Sequence, residues 1–233
     1  IIPAALEMMD QGILVALEEA FQFGFPLDAQ AILLIEVDGL EAGLDGQRDD
    51  IIRLCKETGA REVRMAADEQ ERLKLWKCRK QAFGAIGRLS SSFCTQDGVV
   101  PRTQLPSIFK KIRATSEKYD IRIVNVFHAG DGNLHPILLF DERNPDEVKR
   151  VMEASGEILE ACLDAGGSVT GEHGIGVEKI RYMNKMFRES DLEAMRQLRD
   201  AFNPDNRLSP DKMLPTAGAC GMEQIHPGRR AAL

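Results

Sequence analysis

The stretch Ile121-Arg-Ile-Val-Asn-Val-Phe-His-Ala-Gly-Asp-Gly-Asn-Leu-His-Pro-Ile-Leu-Leu-Phe140 decides the fold. Two β-rich runs, 121–127 and 134–140, flank Asp131-Gly132. An Asp-Gly pair between such runs is the strongest short hairpin signal, because a type I′ turn needs positive φ at both central residues. Counted outward from that turn, Gly130 faces Asn133, Ala129 faces Leu134 and His128 faces His135. Directly opposed residues share a face, with Cβ atoms about 4.5–5.5 Å apart. The predicted hairpin therefore brings two imidazoles within reach of one ion. Such an ion needs at least one further ligand, typically a carboxylate, and an open position if it is catalytic.

Outward from the hairpin, helices and strands alternate. Helical spacing of Leu6, Met9, Ile13, Leu14 and Leu17 predicts a helix over 4–22. The apolar run 31–37 predicts a buried strand. A helix follows over 45–58, stopped at Gly59, and a second strand over 62–65 completes a βαβ unit. Asp68 suits the cap of a helix over 68–88. A Ser/Cys/Thr/Gly-rich loop is expected over 90–100. Helices are expected over 106–118, with Pro106 in the first turn, and over 145–165, closed by Gly166 and Gly167. Two short helices, 177–187 and 191–202, end at Asn203-Pro204. The expected class is α+β: a ferredoxin-like antiparallel sheet with packed helices, plus C-terminal helices. One domain is expected over 1–215, with a loose tail over 216–233.

Composition excludes several functions. The chain of 233 residues carries 30 Lys+Arg against 37 Asp+Glu, a net charge of −7 without a basic run. Nucleic-acid binding needs clustered cations, so it is not expected. No run of apolar residues is long enough to span a bilayer. The first residues lack the basic region of a signal peptide. At 43% hydrophobic and 29% charged the composition is that of a globular domain. Five cysteines, an odd number without a C-x-x-C pair, argue against a disulfide framework or zinc ribbon and for a cytoplasmic setting.

A second group of chemistry-bearing residues is Gly171-Glu-His-Gly-Ile-Gly176. Glycines at this density let the backbone turn sharply and approach a ligand. Glu172 suits the third metal ligand. His173, pointing elsewhere in extended chain, is free to act as acid or base, since its ordinary pKa lies near neutrality. Three of the four histidines lie in these two glycine-rich loops. In a third group, Trp76, Arg79 and Phe83 share a helix face, extended by Leu73 and Ile86. Arg79 on that stripe requires a partner: either a structural acid or an anionic substrate whose carboxylate matches its guanidinium fork.

H-A-G-D-G-N-L-H (128–135), G-E-H-G-I-G (171–176) and Q-D-G-V-V-P-R (96–102) occur together with W-K-C-R (76–79) and F-N-P-D-N-R-L-S-P-D-K (202–212). In these motifs the chain resembles the C-terminal, substrate-side domain of FAD-linked 2-hydroxyacid oxidases and dehydrogenases, of the vanillyl-alcohol-oxidase-like superfamily. Within that group it is most similar to flavin subunits of glycolate oxidase, with D-lactate dehydrogenases close by. The resemblance covers residues 1–215. It implies oxidation of a small 2-hydroxy acid, with two electrons passing to FAD. It also implies a divalent ion, zinc or manganese, on His128, His135 and Glu172. By the same resemblance His173 takes the hydroxyl proton, Arg79 clamps the carboxylate and Asn133 touches the substrate. Relatives acting on 2-hydroxyglutarate carry a Lys and a hydroxyl residue where this chain has Thr95 and Phe83, which favours a small monocarboxylate. The resemblance admits an iron–sulfur electron-transfer subunit or a second copy of the chain as partner.

The family's N-terminal FAD-binding domain has no counterpart in these residues, and the chain opens on Ile1 within an apolar pattern. The expectation is a sequence that begins partway into a longer protein and does not turn over alone. A metal-dependent hydrolase and a catalytically silent cap or assembly module are the competing classes.

Overall fold

The computed structural model describes residues 1–215. The expected tail, 216–233, lies outside the described residues. In chain order the elements are β1 (Ala5–Asp10), α1 (Gln11–Phe21), β2 (Ala31–Glu36), α2 (Glu41–Glu57) and α3 (Glu69–Ile86). Next come β3 (Ser92–Thr95), β4 (Gly98–Val99), α4 (Leu105–Tyr119), β5 (Ile123–His128) and β6 (Asn133–Phe140). The last are α5 (Pro145–Asp164), α6 (Met183–Met186) and α7 (Glu189–Phe202).

The strands form one antiparallel sheet in the order β2-β1-β5-β6-β3, with β4 also paired to β6. Helices cover both faces. On one, α1 and α3 pack Ile13, Leu14, Leu17, Cys78, Ala82 and Ile86 against Met9, Val124, Val126 and Ile137. On the other, α4 and α5 pack Ile108, Ile112, Ile158 and Cys162 against Phe127 and Leu134. This is the expected α+β class, an antiparallel sheet with packed helices and further helices at the C-terminal end. No helix among the described residues is long and apolar enough to cross a membrane.

Four local expectations are corrected. The helix predicted over 4–22 is a strand followed by a helix. Strand pairing on both edges satisfies the β1 backbone, and the Asp10 carboxylate accepts the Ile13 N–H at 3.2 Å, starting α1 there. The strand predicted over 62–65 is irregular chain. The sheet ends at β2, so this segment has no ladder to join, and Arg64 instead pairs with Glu71 at 2.6 Å. The loop predicted over 90–100 contains β3 and β4, whose Ser- and Gly-rich composition hides strands that β6 pairs. The helix predicted over 177–187 shrinks to a 3₁₀ turn at Ile180–Tyr182 followed by α6.

The central hairpin forms, in a different register. His128 pairs with Asn133, Phe127 with Leu134 and Val126 with His135. Only Gly132 of the turn has positive φ, at 78°, so the two-residue type I′ turn is excluded. The His128 carbonyl accepts from both the Asp131 and Gly132 N–H groups, each at 3.1 Å, closing a four-residue connection. A Cβ on Gly132 would sit 2.1 Å from the Val100 carbonyl oxygen, so glycine is required on steric grounds as well.

Candidate functional site

Strand alternation carries the core stripe directly into a polar cluster. On β5 the residues facing α1 and α3 run Val124, Val126, His128. On β6 they run Leu139, Ile137, His135, Asn133, and on β1 Met9, Glu7. The apolar members lie under the helices and the polar ones at the hairpin end. His128 and His135 are thus diagonal neighbours on one face rather than directly opposed, and their ring centroids are 5.3 Å apart. The corrected register preserves their convergence, because a shift of two residues in the pairing keeps every side chain on its face.

Glu172 meets them there. Its Oε1 lies 2.9 Å from His135 Nε2, 3.7 Å from His128 Nε2 and 3.8 Å from His173 Nε2. The expectation that His173 points away is corrected: its ring stacks on His135, with centroids 5.0 Å apart and planes at 13°. The cause is Asp97. This fully buried carboxylate accepts the N–H groups of Gly171 at 3.0 Å, Glu172 at 3.2 Å and His173 at 2.8 Å, and the Thr170 hydroxyl at 2.7 Å. Three consecutive N–H groups on one carboxylate curl the loop, so neighbouring side chains converge instead of alternating. Burial pushes the Asp97 pKa up, but the His173 N–H, the Thr170 hydroxyl and the Lys179 charge outweigh it and hold the carboxyl at about 2. Donor atoms of Asp97, His135, Glu172 and His173 all lie within 4.8 Å of one another.

The far edges of both sheet histidines are held. Glu7 Oε1 lies 2.8 Å from His128 Nδ1, and Glu7 Oε2 accepts from Arg79 Nε at 2.8 Å. Burial pushes the Glu7 carboxyl up, but the His128 hydrogen bond and the Arg79 charge outweigh it, leaving Glu7 below its usual range. The same hydrogen bond raises His128, against burial and the Arg79 charge. His135 Nδ1 lies 3.2 Å from the Gln96 carbonyl, and burial lowers its pKa. Arg79 is therefore paired with a structural acid, yet its terminal nitrogen still faces the cluster, 3.4 Å from His128 Nε2. Asn133, beneath Gly171, helps line a cavity of about 330 Å³ with Val99, His128, Asp131, Gly171 and Glu172.

A metal ion suits this donor set. Both ring nitrogens of His135 face oxygen acceptors, Nδ1 the Gln96 carbonyl at 3.2 Å and Nε2 a Glu172 oxygen at 2.9 Å. A neutral imidazole carries one N–H, so one of these contacts sets two acceptors face to face unless a further cation, proton or metal, lies between them. Neutral imidazoles with their other nitrogen anchored, plus a carboxylate, are the usual ligands of zinc and manganese. Among the described residues no glycine-rich strand-to-helix turn of the dinucleotide-binding kind is free for a pyrophosphate. The one direct strand-to-helix junction, β1 to α1, is capped by the Asp10 carboxylate.

A family model described as "FAD linked oxidases, C-terminal domain" matches residues 1–213. The chain belongs to that family. Within it, "Glycolate oxidase subunit GlcD" of Escherichia coli (strain K12) is 44% identical over 231 residues, covering 98% of this chain and 46% of the relative. GlcD of Bacillus subtilis (strain 168) is 40% identical over 213 residues, 91% of this chain and 45% of the relative. "Probable D-lactate dehydrogenase, mitochondrial" of Danio rerio is 29% identical over 184 residues, covering 78% and 37%. The chain thus spans just under half the length of the curated relatives first matched. The fold is shared with solved p-cresol methylhydroxylase, at a TM-score of 0.62 and 15% identity, covering 88% of this chain and 45% of that one.

This FAD-linked oxidase domain gathers His128, His135, Glu172, His173, Asn133 and Arg79 at one end of the sheet. Glu7 gives no signal in the sequence, concealed in a segment whose strand resembles a helix. The work of Gln96 and Asp97 is not evident there either, although both stand in the Q-D-G-V-V-P-R motif.

Proposed function

We propose that this chain is the substrate- and metal-binding half of a flavin-dependent oxidoreductase that converts a small 2-hydroxy acid, glycolate or D-lactate, to the 2-oxo acid. The observation that carries the reading is the convergence of three imidazole Nε2 atoms on one Glu172 oxygen. His128, His135 and Glu172 would hold a divalent ion, zinc or manganese. Its contribution would be Lewis acidity that lowers the pKa of the substrate hydroxyl. His173, the more exposed of the imidazoles, takes the hydroxyl proton at Nε2. Arg79 binds the carboxylate through its outward nitrogen, while Glu7 fixes the inner one. Asn133 forms part of the cavity wall against the substrate. Phe83 lies edge-on to His135, with centroids 6.2 Å apart, and offers no partner for a second carboxylate. FAD is the electron acceptor in this proposal, held outside the described residues, so the chain binds substrate but does not turn over alone. The relatives named as subunits support a multi-subunit assembly, with an iron–sulfur protein or a second copy as partner. The cysteine usage supports a cytoplasmic compartment.

Metal analysis tests the site. The protein is expected to hold about one divalent ion per chain, lost in His128→Ala and in Glu172→Gln. Unchanged metal content in both variants overturns the reading. The redox role is tested by adding a flavin-bearing half in trans and following dye reduction with each acid. Turnover surviving His173→Ala at the parent rate removes that residue from the chemistry.

A further inference from the structure

β6 has a proline at its centre, where a ladder donor is normally required. Thr95 pairs with Ile137 and Gly98 with Leu134, so the register between them sets Gln96 opposite Pro136 and Asp97 opposite His135. In an antiparallel pair of this kind both residues exchange N–H···O=C bonds. Here only one is made: the Gln96 N–H donates to the Pro136 carbonyl at 3.0 Å. The return bond cannot form, because proline has no N–H. The Gln96 carbonyl is left over, and His135 Nδ1 lies 3.2 Å from it, at hydrogen-bond distance.

We infer that Pro136 is a positioning residue for His135, acting through the Gln96 carbonyl that its missing N–H leaves free. The carbonyl selects the Nδ1–H tautomer and turns the Nε2 lone pair toward Glu172. A ladder N–H at position 136 would take one lone pair of that carbonyl in the strand plane and weaken its hold on the ring. The proposal rests on the metal-site reading for its consequence, but the tautomer does not depend on an ion.

Long-range ¹⁵N–¹H NMR of the imidazoles in the metal-free full chain, at mildly alkaline pH, reads the tautomer directly. The parent should show His135 protonated at Nδ1 alone. Pro136→Ala and Pro136→Val should show a mixture with the Nε2–H form. Zinc affinity should fall with the fraction of the Nδ1–H tautomer that remains, by about two- to ten-fold for such a mixture. Melting temperature should change little, since the variants gain a ladder bond while losing proline's restriction of the unfolded chain. An Nε2–H His135 in the parent overturns the inference without any variant. So does a parent tautomer retained in both variants, whether their stability holds or falls. A parent that binds no zinc yet shows the Nδ1–H tautomer, lost in the variants, supports this inference and overturns the metal reading instead.

Discussion

Gly171 shows how little room the site leaves at a single residue. A Cβ there would lie 2.7 Å from the Asn133 side-chain amide, which is buried beneath it between the two chemical loops. Gly171→Ala must lift the loop, drop Asn133 into the cavity, or both. Overpacking of this kind costs about 1–3 kcal/mol. The larger effect expected is on binding, because Glu172 and His173 follow directly and take their direction from the same turn. Zinc titration beside a denaturant melt checks this: affinity should fall more than stability. Asp10 supplies a second single-residue case. Burial raises its pKa to about 6, although Asn125 and the Ile13 N–H both donate to its carboxylate. A carboxyl whose folded pKa exceeds its ordinary 3.8 destabilises the fold as pH rises from about 4 to 6, fully so above that, by roughly 3 kcal/mol. Asp10→Asn should remove that loss. An amide can still cap Ile13, and Asn125 Oδ1, now without a partner, can accept from the new NH₂ once that side chain flips. Stability of the variant should exceed the parent's above pH 6 and converge with it near pH 4, measured by urea melts across that range.

At the scale of elements, the segment after α7 carries strain that substitution can relieve. Ser209 and Asp211 have φ of 42° and 56°, in the left-handed region. Such a conformation costs a non-glycine residue about 1–2 kcal/mol, less for Asn than for Ser. Asp211→Gly and Ser209→Asn should each raise the melting temperature, Asp211→Gly more, and a double variant should add their effects. The same scale explains what the sequence made legible. The β5–β6 hairpin was readable because its β-rich runs and central glycine admit few alternatives, and α3 and α5 because each has a side-chain cap, Asp68 and Asn144. β1 was not readable. Its apolar residues continue the helical spacing of α1, and only pairing with β2 and β5, distant in sequence, makes it a strand. The imidazole pair is legible even from a shifted register, because face parity survives a two-residue shift. Glu7 and Asp97 act through contacts 121 and 76 residues away in sequence, to His128 and His173, which no local pattern records.

For the whole molecule, the site is where the sheet, α3 and the segment after α5 meet. Glu7 reaches it from β1, Arg79 from α3, the two histidines from β5 and β6, and Glu172 with His173 from the chain following α5. Each group is anchored before any ion arrives: His128 by Glu7, His135 by the Gln96 carbonyl, and the loop by Asp97. A cation on these donors would tie together elements separated by most of the described chain, and would bind the folded state alone. Linkage then sets the effect: at free ion one hundred times its Kd, the gain is about 2.7 kcal/mol. For a chain of this size that corresponds to a rise of about 5–10 °C in melting temperature. Zinc or manganese added to the metal-free protein should produce it, and a chelator should reverse it. Glu172→Gln should lose the response while keeping the metal-free melting temperature near the parent's, since its side chain is half exposed and the Asp97 bonds go to its backbone. His135→Ala should also lose the response but melt lower from the start, because its ring is buried against His173. A parent that melts at the same temperature with and without either ion would show that the converging donors do not hold one.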